Sequence, residues 1–189
     1  MNEIEILQTM LVSNAQIPLQ PGPGRPSVTL TDKQAQTTVE IKGVPHDTVV
    51  VRAEEFEAPL DIFNGSRGER RRADFVIVSD DGKRKWIICI ETQAGNTKTR
   101  SHVEQQLKGA TCFMSYCKCI GKLFWESNEF LDDYQYRYVS MVDIHANKEI
   151  RRTRHYPYRA QSDGGLHDTP ADFLKFYRSK SLYFSKLIS

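Results

Sequence analysis

RADFVIVSDDGKRKWIICIETQ, residues 72–93, holds two apolar, β-rich runs on either side of Asp81-Gly82. β-Branched and aromatic residues suit a pleated surface, and Asp-Gly between two such runs is a strong hairpin signal. Successive side chains of a strand point to opposite faces, so the register of this hairpin decides which groups meet. With Asp81-Gly82 at its centre, Asp74 lies opposite Cys89 and Arg72 opposite Glu91. Arg72, Asp74, Cys89, Glu91 and Gln93 then share one face. Asp74 and Glu91 become diagonal neighbours, with Cα atoms roughly 7–8 Å apart. A three-residue loop would turn Asp74 to the other face.

Two carboxylates so placed can converge on one divalent cation. The ordinary alternative is an ion pair: Asp74 with Arg71 or Arg72, and Glu91 with Arg72, worth under about 1 kcal/mol if exposed. Acids on a strand face that otherwise reads as core cost free energy unless paired or bound to metal.

Outward from the hairpin, 96–121 reads as a helix. Val103, Leu107, Ala110, Met114 and Cys117 form its apolar stripe, and Ser101 with Glu104 has the form of a capping box. YQYRYVSMVDIH (134–145) returns to strand character. Upstream, TTVEIKG and DTVVVRAEEF read as strands around the turn GVPHD. PLQPGPGRPS (18–27) and NGSRGERR (64–71) read as loops, and residues 1–13 as a short amphipathic helix. Thr169 and Pro170 predict a C-terminal helix over 169–187. The expected organisation is one domain, 1–189. Its core spans about 45–145, with a helix and loop over 1–30 and a C-terminal helical extension over 165–189. The class is α/β, with a mixed central β-sheet flanked by helices.

The net charge of +2 argues against a general polyanion binder, but positive charge is clustered at 67–72, 83–85 and 151–159. Segment 151–159, RRTRHYPYR, mixes arginine with Tyr156 and Tyr158, a composition that can grip phosphates and stack bases or form a solvated loop. The acidic start MNEIEILQTM lacks the apolar run of a secretion signal, and no stretch has transmembrane length. A cytoplasmic chain with reduced thiols and no membrane association is therefore expected. Cys112, Cys117 and Cys119 do not have a zinc spacing and read as helix packing.

The order strand, hairpin, helix, strand, with Asp74 in RADFVIV and Glu91 in IICIETQ, resembles the PD-(D/E)xK nuclease superfamily, the restriction-endonuclease-like fold, over about residues 45–145. In that family an Asp begins the second core strand, (D/E)-x-K ends the third, and a helix follows. Here Gln93 stands at the lysine position and Ala73 at that of the proline. The resemblance implies metal-dependent hydrolysis of phosphodiester bonds, with DNA as the expected nucleic acid. Asp74, Glu91 and the backbone carbonyl of Thr92 would hold Mg²⁺ or Mn²⁺, and Gln93 would orient the attacking water. Glutamine can hydrogen-bond a water but supplies no charge. Lys98, Lys108 or Arg72 are the candidates to supply it. The family's first helix often adds a Glu, for which Glu55 and Glu57 are candidates. His102 lies near the start of the active-site helix. Arg67, Arg71, Arg100, Arg151, Arg152 and Arg154 would hold backbone phosphates. The resemblance also admits a homodimer, since two strands need two cuts. Two other readings stay open: an inactive member of the fold that binds nucleic acid or protein, and an effector-binding regulatory domain using the same cleft.

Overall fold

The computed structural model describes residues 1–32, 37–56, 62–94, 98–142, 165–177 and 179–189. The chain opens with α1 (Glu3–Met10), whose first turn is closed by a capping box. The Asn2 side chain accepts from the Glu5 amide at 2.8 Å, and the Glu5 carboxylate accepts from the Asn2 amide at 2.9 Å. Strands β1 (Ser27–Asp32), β2 (Thr37–Lys42) and β3 (Asp47–Arg52) follow, then a 3-10 turn at Ala53–Glu55. The hairpin is β4 (Phe75–Asp80) and β5 (Lys85–Gln93). After it come α2 (Arg100–Phe124), β6 (Gln135–Val142), β7 (Leu174–Tyr177), β8 (Ser181–Tyr183) and the single-turn α3 (Phe184–Leu187).

These elements make a mixed α/β structure with two mixed sheets. The larger has the order β3-β4-β5-β6-β7, and the smaller β1-β2-β8. In the large sheet β3, β4 and β5 are antiparallel, and α2 carries the chain across to β6, parallel to β5. Both faces of β4 and β5 are covered, which is why they read as continuous apolar runs rather than as an alternation. Val76, Val78, Ile87 and Cys89 pack beneath α1 and α2. Phe75, Ile77, Trp86, Ile88 and Ile90 pack against Val28, Leu30, Val39 and Ile41 of the small sheet. Helices α1 and α2 thus lie on one face, and a second sheet with the short α3 covers the other; the expected flanking of the sheet by helices is corrected to that extent.

The hairpin register differs from the sequence expectation by two positions. Phe75 faces Ile90 and Val76 faces Cys89, so the line continues with Asp74 level with Glu91. The cause is the turn. Asp80 and Lys85 are the last pair, leaving Asp81–Arg84 as the loop. There the Asp81 carboxylate accepts the amides of Lys83 and Arg84, and Gly82 takes φ +80°. A slip of two preserves the faces, so Asp74 and Glu91 remain together and move from diagonal to directly opposed.

Three further expectations are corrected. Residues 174–177 and 181–183 are strands, not a C-terminal helix over 169–187: Leu174 and Phe176 alternate inward with Lys175 and Tyr177, completing an edge beside β6. Segment 1–30, expected as a helix and a loop, ends in strand β1. Helix α2 is capped by Thr99 rather than Ser101, since the Thr99 hydroxyl accepts the His102 amide, and Glu104 pairs with Lys108 instead.

One glycine seats the helix. A Cβ on Gly109 would stand 1.9 Å from the carbonyl oxygen of Arg71. Only hydrogen lets α2 lie against residues 71–72, the lead-in to Asp74. Cys89 and Cys117 are in the core, while Cys112 and Cys119 face outward from α2. Among the described residues no helix is long and apolar enough to cross a membrane.

Candidate functional site

The carboxyl end of β5 and the amino end of β4 carry the polar groups that the apolar hairpin delivers. Glu91 is fully buried and Asp74 is 8 % exposed. The Asp74 carboxylate is fixed by Thr92: its Oδ2 accepts the Thr92 amide at 2.6 Å and lies 2.6 Å from the Thr92 hydroxyl. The Ala53 amide donates to the Asp74 carbonyl at 2.9 Å, which docks the 3-10 turn beside it.

Lys98 reaches back from the foot of α2. Its Nζ donates to Glu91 Oε1 and lies 3.4 Å from the Thr92 carbonyl oxygen. Its side chain is 29 % exposed against 0 % for Glu91, so the pair straddles the surface. The other carboxylate oxygen, Glu91 Oε2, is buried without a hydrogen-bond partner among the described residues.

Electrostatics follow from this burial. Burial pushes the Glu91 carboxyl well above its ordinary range, and the charges of Asp74 and Asp32 push the same way against the pull of Lys98. Asp74 is also raised, first by burial, with the two Thr92 hydrogen bonds and Lys98 opposing. Burial works against the Lys98 ammonium, but Glu91, Asp74 and Asp32 outweigh it and hold the group above its usual value.

Two acids that the sequence reading passed over belong to this neighbourhood. Asp32, at the buried end of β1, lies 2.9 Å from the Thr92 hydroxyl through its Oδ2. Glu54, in the 3-10 turn, is raised by burial and then by the charges of Asp74 and Asp32. The expected Glu55 is exposed, and its charge adds to the raising of Glu54, whereas Glu57 lies outside the described residues. Asp32 had a sequence signal: it is the third inward position after Val28 and Leu30. Glu54 had none beyond its place beside Glu55.

The remaining candidates divide. Gln93 is buried, donates from Nε2 to Ser140 Oγ at 2.9 Å, and has no partner on Oε1 among the described residues. Arg72 is turned away from the acids: it donates to the Arg71 carbonyl at 2.5 Å, and its guanidinium lies over the Phe56 ring at 5.0 Å. Lys108 is held by Glu104 at 2.6 Å, an exposed pair one helical turn apart. Of the three candidate cations, Lys98 is the one brought to Glu91.

His102 Nε2 lies 3.1 Å from Arg71 Nη1. The guanidinium can only donate, so Nε2 accepts. Burial, followed by the charges of Arg71 and Lys98, holds His102 below its ordinary value. Arg67 is exposed, and Arg100 donates to the Ala171 carbonyl at 2.7 Å. Arg151, Arg152 and Arg154 lie outside the described residues.

Among the described residues no three His, Cys, Asp or Glu side chains are grouped as an all-protein metal cage. Mg²⁺ does not require one, since it commonly takes one or two carboxylates and retains several waters. The orphaned Glu91 Oε2, with Asp74 level across the strands and the Thr92 carbonyl beside them, fits that donor set. Comparison with protein-family models, curated proteins and solved structures finds no match.

Proposed function

We propose that this chain is a metal-dependent nuclease of the restriction-endonuclease-like kind, hydrolysing phosphodiester bonds, with DNA as its substrate. The observation that carries the reading is the Lys98–Glu91 contact at the mouth of the hairpin, with the second Glu91 oxygen left unpaired and buried. A buried carboxylate lacking half its partners is costly, and a functional site is where such a cost is retained. The order β3, β4, β5, α2, β6 on one sheet supports the fold assignment.

Asp74, Glu91 and the Thr92 carbonyl would hold Mg²⁺ or Mn²⁺. Such an ion, when bound, supplies Lewis acidity toward the phosphate and lowers the pKa of a water. The chain's own residues supply the rest. Lys98 brings the positive charge that Gln93 lacks, to the edge where negative charge develops on the phosphoryl oxygens. Gln93 Oε1 can accept a hydrogen bond from the attacking water, while Ser140 holds its amide nitrogen. Arg71, with His102 beneath it, sits by the start of α2 as a contact for a flanking phosphate.

The test is incubation with supercoiled plasmid, single-stranded DNA and RNA in Mn²⁺ or in EDTA. The expected result is nicking of DNA that EDTA, E91A and K98A each remove. Binding of DNA without cleavage would leave the inactive, nucleic-acid-binding reading in its place.

A further inference from the structure

We propose that Asp32, from the small sheet, is a positioning residue for this site: by accepting the hydrogen bond of the Thr92 hydroxyl it leaves Asp74 Oδ2, as well as Oδ1, open to the ion. This rests on the reading that Asp74 and Glu91 hold a divalent cation. The Thr92 hydroxyl oxygen lies 2.6 Å from Asp74 Oδ2 and 2.9 Å from Asp32 Oδ2. Both are hydrogen-bond distances, yet a hydroxyl carries one proton and serves one acceptor at a time.

The two settings of that proton differ in what they do to Asp74. Its Oδ2 already accepts the Thr92 amide at 2.6 Å. With the hydroxyl turned toward it, both lone pairs of that oxygen are spent on donors. With the hydroxyl turned toward Asp32, the amide still orients the carboxylate and one lone pair of Oδ2 is open for the ion beside Oδ1. Asp32 is 4 % exposed and held at the end of β1, so the alternative acceptor is pre-placed. Partners one step removed from a metal, when lost, typically cost about 10–100-fold in affinity.

This gives the small sheet a functional task. Strand β1 packs Val28 and Leu30 beneath the hairpin and sets Asp32 against Thr92 at the same end. The expected effect passes through a single hydroxyl, which makes it separable from the negative charge of Asp32.

The experiment is Mn²⁺ titration of the full chain, followed by the electron paramagnetic resonance of the free ion. Wild type, D32N, T92V, the double variant D32N/T92V and D74A are compared. An asparagine amide can donate to the Thr92 oxygen and so directs the hydroxyl onto Asp74. D32N is expected to weaken Mn²⁺ binding about 10–100-fold. In the T92V background the same change is expected to cost less than about threefold, since the two groups act as one unit. T92S retains the hydroxyl and should restore the full penalty. If D32N does not fold, D32S replaces it in the same comparisons. Unchanged affinity in D32N, or a penalty equally large with and without the hydroxyl, overturns the proposal while loss of binding in D74A leaves the metal site standing. Absence of Mn²⁺ binding in wild type, or undiminished binding in D74A, overturns both.

Discussion

The two ends of the β4–β5 hairpin carry the same kinds of residue and treat them differently. At the turn, Lys85 pairs with Glu3 at 2.7 Å and with Asp133 at 3.1 Å, on side chains that all retain contact with solvent. Asp80 and Asp81 spend oxygens on the amides of the loop. This is the wet, satisfied arrangement by which a surface accommodates charge. At the open end, Glu91 has no exposure, one lysine on one oxygen and, among the described residues, no partner on the other. The turn stabilises the hairpin. The open end costs stability, and the difference between the two marks where chemistry is expected.

The largest effects should separate the ends by activity. E91A and D74A are expected to reduce Mn²⁺-dependent nicking by about 10³-fold or more, and K98A by about 10²–10³-fold. K85A at the turn should leave the rate within about twofold. Plasmid-nicking rates for the four variants check this; loss of cleavage in K85A would erase the distinction between the ends.

The next effect tests how the open end is held. G109A places a methyl group against the Arg71 carbonyl, and the helix must move off the lead-in to Asp74. Overpacking of this kind costs about 1–3 kcal/mol, read as a fall in the denaturant midpoint, and should lower nicking as well.

Stability should also depend on pH at the open end. The folded pKa of Glu91 is raised above its ordinary 4.5, so the folded chain holds that proton where the unfolded chain has lost it. The stabilising contribution is full below 4.5 and is lost as pH rises through the folded value. E91Q cannot lose it. At neutral pH, without metal, E91Q should therefore be more stable than wild type, by on the order of 1 kcal/mol, with the gap closing as pH falls toward 4.5. Thermal melts of both proteins over that range check the sign. The smallest effect belongs to the turn: E3Q should cost about 0.2–1 kcal/mol, diminishing in high salt.

Much of the hairpin was legible because strand faces alternate strictly. Any register of the same parity puts Asp74 and Glu91 on one face, so a slip of two residues kept the acids neighbours. The slip itself was hidden in side-chain chemistry: Asp81 reaching Lys83 and Arg84 makes the four-residue loop, whereas Asp-Gly by itself suggests a tighter one. The C-terminal strands were lost because DFLKFYRSKSLYF contains apolar spacings that suit either period, and the edges of β6 and β2, which take β7 and β8, decide between them. The small sheet joins β2 to β8, elements far apart in sequence, and no local pattern announces that pairing. Asp32 went unread with it. Lys98 was legible as a candidate, but its preference over Arg72 and Lys108 depends on Phe56 and Glu104 engaging those two elsewhere.

The most direct measurement is a crystal soaked in Mn²⁺ and recorded at a wavelength where manganese scatters anomalously. A peak is expected among the carboxylates of Asp74 and Glu91 and the carbonyl of Thr92, with Lys98 beside it. A well-ordered site in the soaked crystal with no anomalous peak there, or with Glu91 still sealed against Lys98 while manganese binds elsewhere, would contradict it.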